Sequence, residues 1–309
     1  CAFFLWSLGD LSEGFSAGSN AMNLSKTPCR CVSLYLFSLL LCTAAHAATY
    51  TVSNNKDTGA GSFRAAIESI NLQITNGHII NFSDTYTIKP QSALPAIQKT
   101  VTINGNGSIL SGEALGGLVE GLVISGSGST VNTLNVIAFP GHGIRITASG
   151  VTLKGCGIGA YTEKITGNGK DGVFLEDTAD NAVIGVADSL LPAVENTNVI
   201  AGNARNGITI DGTSGVIIRN SFIGLRSDGV TRSANGRHGI YAFQADSLSV
   251  GDASRGATNL ISGNVEAGVY LDKSSGTLTA NRIGLTSGGV VIVANGAAGV
   301  HIVEPSGGI

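Results

Sequence analysis

Four carboxylates fall within ten positions of one another: Asp171, Glu176, Asp177 and Asp180. Oxygen ligands of this kind suit Ca²⁺, and a calcium ion beside an arginine or lysine base can assist removal of a proton next to a substrate carboxylate. Asp171, Glu176 and Asp177 are therefore the candidate metal ligands, and Ca²⁺ is the only cofactor they suggest. Alternation puts Glu176 and Asp177 on opposite sides of a strand that reaches them. Arg219, Arg226, Arg237 and Lys273 can supply a base, but nothing in the sequence singles one out, so no catalytic residue is assigned. Tyr161, Tyr241 and Tyr270 offer rings for stacking on sugars. Gly167-x-Gly169-x-x-Gly172 spells a dinucleotide fingerprint, which needs a helix after it. Val173-Phe174-Leu175 follows instead and reads as a strand, which excludes that reading.

The elements that must position these residues are repeats. Gly followed by Ile or Val recurs at Gly143, Gly172, Gly207, Gly239, Gly268 and Gly299, with spacings of 29, 35, 32, 29 and 31. A second series, Ile before a small residue, interleaves at Ile158, Ile200, Ile223, Ile261 and Ile283, with gaps of 42, 23, 38 and 22. Asn168-Gly169, Asn235-Gly236 and Asn295-Gly296 mark a longer period. Such periods mean stacked units. Within each unit, short Ile- and Val-rich runs are split by Gly, Asn, Asp and Ser, which predicts strands and turns rather than helices. Asn198–Ile200, Gly207–Ile210 and Val216–Arg219 make three strands in one coil of an all-β solenoid. Two positions before each Ile stand Cys156, Asn198, Ser221, Asn259 and Asn281, a column expected to hydrogen-bond along a ladder. Two positions after each repeat Gly stand Arg145, Phe174, Thr209, Tyr241, Tyr270 and His301. That mixed column is expected to face outward, and Tyr241, Tyr270 and Phe174 are its glycan-binding candidates. Extra residues at Asp188–Asn196 and Arg226–Asn235 are expected to form loops on one side, where a site is most easily built.

These motifs, N-V-I-x-G-N-x-x-x-G-[IV] at Asn198–Ile208, its near copy at Asn259–Val269, and N-G-x-x-G-[IV], resemble bacterial exported parallel β-helix proteins of the pectin-lyase-like superfamily. The resemblance covers nearly all of residues 49 to 309 and implies a right-handed parallel β-helix. It also implies, for the enzymes of that superfamily, action on acidic polysaccharides at an outer face of the coil. Their hydrolase branch carries N-T-D, D-D, G-H-G and R-I-K. Here Gly141-His142-Gly143 and Arg145-Ile146 occur without the acid pair, so the general acid and the water-activating base of that mechanism are missing.

The 309 residues carry a net charge of −3, 13% charged residues and 44 glycines. No basic patch points to nucleic acid. From Met22, a basic start (Lys26, Arg30), the apolar run Val32–Cys42 and Ala45-His46-Ala47 form a secretory leader at 22–47, with cleavage expected after Ala47. Its apolar run is too short for an ordinary membrane span. Residues 1–21 read as non-native upstream sequence, and the missing polar cap after Ile302 reads as a C-terminal truncation of a single domain, 48–309. Cys156 is then the only cysteine, so neither a disulfide framework nor a zinc site follows. Thr49–Ser53 reads as a first strand. Ser62 caps a helix in which Phe63, Ala66, Ile67 and Ile70 share one face, suited to covering the open coil end. The segment T-V-x-x-x-x-D-x-G-x-G-S-F-R-x-A-I resembles the cap of the same exported family. The sequence therefore points to a secreted or cell-surface β-helix that binds a polysaccharide or host glycan in adhesion. The alternatives are a polysaccharide lyase and a structural stalk.

Overall fold

A computed structural model describes residues 47–161, 164–187, 196–254 and 257–304. The expected upstream stretch and almost all of the leader lie outside them, as does most of the loop expected at 188–196. Among the described residues, three parallel sheets of nine, eight and seven strands wrap one core. Sheet 1 runs from Thr49–Val52 to Gly276–Leu278, sheet 2 from Thr87–Ile88 to Arg282–Ile283, and sheet 3 from Leu122–Ile124 to Val300–Val303. One coil passes through sheet 2 (Asn198–Ile200), sheet 3 (Ile208–Asp211) and sheet 1 (Ile217–Ile218), then re-enters sheet 2 at Ser221–Ile223. This is a parallel β-helix. Each strand pairs with its equivalent one coil later, so the backbone groups of one coil are satisfied by the next. Inward side chains stack in columns: Ile158, Ile200, Ile223 and Ile261 in sheet 2, and Val173, Ile208, Ile240 and Val269 in sheet 3, all buried.

The one described helix, α1 (Phe63–Asn71), covers the first coil. Ser62 accepts the Ala65 N–H at its start. Phe63, Ile67 and Ile70 join the same core as Val52 and Ile80, and the Phe63 and Phe82 rings lie 5.2 Å apart. Arg64 gives the Asp and Arg of the cap segment a joint role. Its guanidinium holds Asp57 at 2.8 Å and donates to the carbonyls of Ser92 and Ala93, tying the helix to the turn before it and to the first coil.

Two sequence features acquire a cause. Asn168, Asn203, Asn235, Asn264 and Asn295, each four residues before a repeat Gly, form a buried side-chain ladder with Nδ2–Oδ1 distances of 2.9, 3.0, 2.9 and 2.9 Å. Every Asn from Asn203 onward also accepts the N–H of the ladder residue before it, or its side-chain amide, or both. The repeat Gly must be bare because the next coil presses on it. A Cβ on Gly207 would lie 2.7 Å from the Gly239 carbonyl oxygen and 2.8 Å from the Asn235 amide. The expected column in sheet 2 also forms hydrogen bonds: Cys156 N–H donates to Asn198, Ser221 N–H to Asn259, and the Asn259 amide to Asn281.

Part of the extra length of the long units comes from the residue after Ile. Gly159, Gly224 and Gly284 have φ of +89°, +91° and +77°, and each turns the chain out into a hairpin. These hairpins pair Ala160 with Ile165, Leu225 with Arg232 and Leu285 with Ile292. Where Ala201 or Ser262 stands instead, the chain continues directly to sheet 3. The hairpins lie over the outer face of sheet 2, where Val199 and Leu260 are only 7% and 3% exposed. Strands at Ile109–Ser111 and Thr130–Asn132 were not expected from the sequence. The second contains a single apolar residue, because its outward Thr130 and Asn132 mask the alternation. Asn132 and Asn104 continue an outer ladder to Asn81.

Replacing Asn235 with Ala removes acceptors from Asn203 and donors to Ile200 and Asn264. Leaving those buried groups unpaired is expected to cost about 2–4 kcal/mol, read as a lower thermal midpoint by circular dichroism. An unchanged midpoint would show that the ladder does not stabilise the stack.

Candidate functional site

Alternation along sheet 3 sends every second side chain outward. The register aligns Val123, Arg145, Phe174, Thr209, Tyr241, Tyr270 and His301 in one column over seven coils. Tyr241 and Tyr270 thus adjoin on this column, while Phe174 stands two coils from Tyr241 across the buried Thr209. Tyr241 and Tyr270 stack at 5.6 Å between ring centres, and Tyr270 packs on His301 at 4.8 Å. His238 lies 4.6 Å from Tyr270 and 5.8 Å from Tyr241, and His142 stacks on Phe174 at 4.6 Å.

Beneath the rings runs a second ladder. From Glu120 to His238, the side chain just before the sheet 3 Gly accepts the backbone N–H of its equivalent one coil later. Glu120 accepts from His142, and His142 Nδ1 from Asp171 at 3.3 Å. Asp171 accepts from Asn206 at 2.8 Å, Asn206 from His238 at 3.1 Å, and His238 Nδ1 from Ala267 at 3.2 Å. This places His142 in the frame of the coil and accounts for the G-H-G string without a hydrolytic role.

A cleft of about 460 Å³ opens on this face. Its volume lies within the range of small-molecule and sugar sites, about 300–1,000 Å³. His238, Tyr241 and Phe174 line it, with Arg205 and Arg237 on one side and Asp211 on the other. Backbone bonds from Arg205 to Lys170 (3.1 Å) and from Arg237 to Arg205 (3.0 Å) place three cations at equivalent positions on successive coils. Neighbouring coils are about 4.8 Å apart. Among the described residues, neither Arg205 nor Arg237 forms an ion pair.

Two groups in the cleft have shifted titration. Burial pushes His238 below the ordinary histidine value, against the pull of Glu266, with Arg237 and His301 adding to the depression. The neutral ring is consistent with its contacts: Nδ1 accepts a backbone amide, so Nε2 carries the proton and faces Glu266 at 2.9 Å. Burial, with Asp272, Tyr270 and Asp211 nearby, raises Tyr241, which keeps its hydroxyl protonated as a donor.

The expected carboxylate cluster is divided among separate partners. Asp171 is buried, bonded to the Asn206 amide and 3.3 Å from His142 Nδ1. Glu176 pairs with Arg145. Asp177 is exposed in the turn after the strand, which ends at Leu175, and Asp180 caps Ser214 and Thr213. Among the described residues, no three His, Cys, Asp or Glu side chains converge as a metal site. Of the proposed bases, only Arg237 lines the cleft. Arg219 faces Asp252 at 3.8 Å, Arg226 sits in a hairpin, and Lys273 lies over the Phe243 ring and near Glu304. Tyr161 falls in the first hairpin. Ala47, at the expected cleavage bond, is exposed just before the first strand. The buried Cys156 thiol is pushed up to about 11 by desolvation, which suits packing rather than reactivity.

The site also differs from the sequence reading in its location. It is built on a strand face and the bend before it, whereas the hairpin at 225–232 packs over sheet 2. Arg205 and His238 were missed. Counting back one and two positions from each repeat Gly would have exposed both the cation series and the acceptor series.

No family model matches the chain, and no curated protein matches it. Among solved structures, an alginate lyase from Paenibacillus sp. strain FPU-7 is similar over 82% of this chain and 99% of its own, at 18% identity and a TM-score of 0.37. The Dettilon tailspike protein is similar over 83% of this chain and 60% of its own, at 12% identity and a TM-score of 0.25. The parallel β-helix assignment follows from the chain's own three sheets. No described helix is long and apolar enough to cross a membrane.

The folded protein holds His238 neutral, so its ring is expected to titrate below the ordinary value of about 6.5. Its contribution to stability is therefore complete above that value and is lost as pH falls through the depressed midpoint. Proton NMR of the histidine rings checks the midpoint. Thermal midpoints of wild type and His238→Gln, compared on both sides of 6.5, check the linkage: the wild type should lose more on acidification. Equal losses would disconnect His238 from acid stability.

Proposed function

We propose that this is an exported β-helix protein that binds polysaccharide or cell-surface glycan, in adhesion, along the outer face of sheet 3. The observation that carries the reading is the cleft beside stacked Tyr241 and Tyr270, flanked by two guanidiniums without ion-pair partners among the described residues. Rings bind the apolar faces of sugars, while arginine forks bind carboxylates. One coil follows another at nearly constant spacing, which suits a polymer lying along the axis. Export rests on the leader at 22–47.

The geometry favours binding over cleavage. A lyase needs a base beside the acidic C–H, and Arg237, the one sequence candidate that lines the cleft, carries a guanidinium, a group that donates and has no acceptor. His238 uses Nδ1 to accept an amide and Nε2–H to face Glu266, and the Tyr241 hydroxyl is held protonated. Calcium over Asp171, Glu176 and Asp177 would require the first two to leave their present partners.

Affinity electrophoresis against neutral and acidic polysaccharides, with Ca²⁺ and with chelator, tests this proposal. One polymer should retard the protein without being shortened. Tyr241→Ala and Arg205→Ala should each weaken retardation about tenfold, on the order of 1.4 kcal/mol, while the circular dichroism spectrum stays unchanged. Calcium-dependent shortening of the polymer would establish the lyase instead. The absence of any retardation would leave the stalk.

A further inference from the structure

His78 is fully buried, although the other inward residues of its strand are apolar, Ile80 and Phe82. The next coil has Val101 in its position. A polar ring inside the stack needs partners, and its partners lie at the start of sheet 1. The first strand pairs Thr49 with Ile79, which sets Ala48 opposite His78. There the imidazole Nδ1 accepts the Ala48 N–H at 3.0 Å, and Nε2 lies 2.9 Å from the Thr75 carbonyl oxygen. A ring nitrogen that accepts is bare, so Nε2 carries the proton and donates to Thr75. Tyr50 packs edge-on to the ring at 6.3 Å, and the Ala48 carbonyl accepts the Ile79 N–H at 2.9 Å. Residue 48 is therefore held at both its nitrogen and its carbonyl. Ala47, one position earlier, is exposed. The buried acceptor thus meets the chain at the nitrogen of the bond where the leader is expected to be cut.

We propose that His78 is the receptor for the amine created when the leader is removed, and that it anchors the mature chain at Ala48. The proposal rests on the leader of the export reading and is independent of what sheet 3 binds. Hydrolysis of the Ala47–Ala48 bond by the peptidase of the export route consumes one water. Ala47 departs with a carboxylate, and Ala48 keeps the nitrogen, which is an ammonium at neutral pH. The donor to Nδ1 changes from a neutral amide to a cation, and charge-assisted hydrogen bonds are shorter and stronger than neutral ones. Ala48 is half-buried, which leaves water for the other two N–H groups. The first strand lies at the edge of sheet 1, so it is gripped more firmly after processing than before. A cut one residue later would remove the donor. A cut further upstream would leave only the neutral amide. Capture also blocks the amine as a nucleophile, because its lone pair is freed only when it loses a proton and leaves the ring.

The test uses protein exported through its own leader. Mass spectrometry of the N-terminal peptide should show a chain that starts at Ala48. Acylation of that α-amine by an active ester near neutral pH should run about tenfold slower in the folded protein than in a free peptide with the same first residues. His78→Phe keeps a ring and drops the acceptor, and should remove most of that difference. Nitrogen NMR of the wild-type ring, which needs no variant, should show Nε2 protonated and Nδ1 bare. A start at any other residue, acylation as fast as in the peptide, or a proton on Nδ1 overturns the proposal. So does acylation that stays slow in a folded His78→Phe protein, because packing alone would then shield the amine. An uncut leader removes the export reading as well, whereas a freely reactive amine on Ala48 removes only the capture.

Discussion

Each coil must turn from sheet 2 to sheet 3 inside the protein, where an unpaired amide would cost as much as a lost hydrogen bond. The buried asparagine ladder from Asn168 to Asn295 meets that requirement. Asparagine suits this position because it donates and accepts at once, so each residue binds the coils on both sides. The ladder fixes the spacing from coil to coil, and the bare Gly four residues on lets the next carbonyl approach closely. Once the corner is set, the sheet 3 strands begin in register, and their outward side chains fall into columns. The ring column and the series Lys170, Arg205 and Arg237 both follow from that corner.

The second ladder, through Glu120, His142, Asp171, Asn206 and His238, does related work with mixed chemistry. Any side-chain acceptor of suitable reach serves, so glutamate, histidine, aspartate and asparagine alternate. His238 can accept only when its Nδ1 is bare. This ties the floor of the cleft to proton concentration, although its residues were placed there to satisfy backbone amides. The buried Asp171 has one carboxylate oxygen satisfied by the Asn206 N–H.

Much of this architecture was legible in the sequence. The repeat Gly series located sheet 3, the Ile series located sheet 2, and Ser62 with Phe63, Ile67 and Ile70 located the cap. The outward column with Tyr241 and Tyr270 was legible because strand alternation is local. The weak strand at Thr130–Asn132 was hidden by its polar outer face. The carboxylates Asp171 and Glu176 looked like a cluster in sequence because they are close along the chain. In the coil, their partners are Asn206, His142 and Arg145, residues 29 to 35 positions away. Sequence proximity is a poor guide to proximity in a solenoid, where a residue's nearest neighbour across the surface is one coil distant. For the same reason the alignment of Arg205 with Lys170 and Arg237 is visible only across stacked coils.

The hairpins behind Gly159, Gly224 and Gly284 leave and rejoin the coil at one corner, and the strands on either side keep their register. That corner is therefore an insertion port. Foreign loops grafted between Leu225 and Arg232 would be carried on the outside of sheet 2, on the side away from the rings, without a change in the pitch of the coil. A scaffold with one such port on every long coil can display grafted segments at regular intervals and leave its sheet 3 face uncovered.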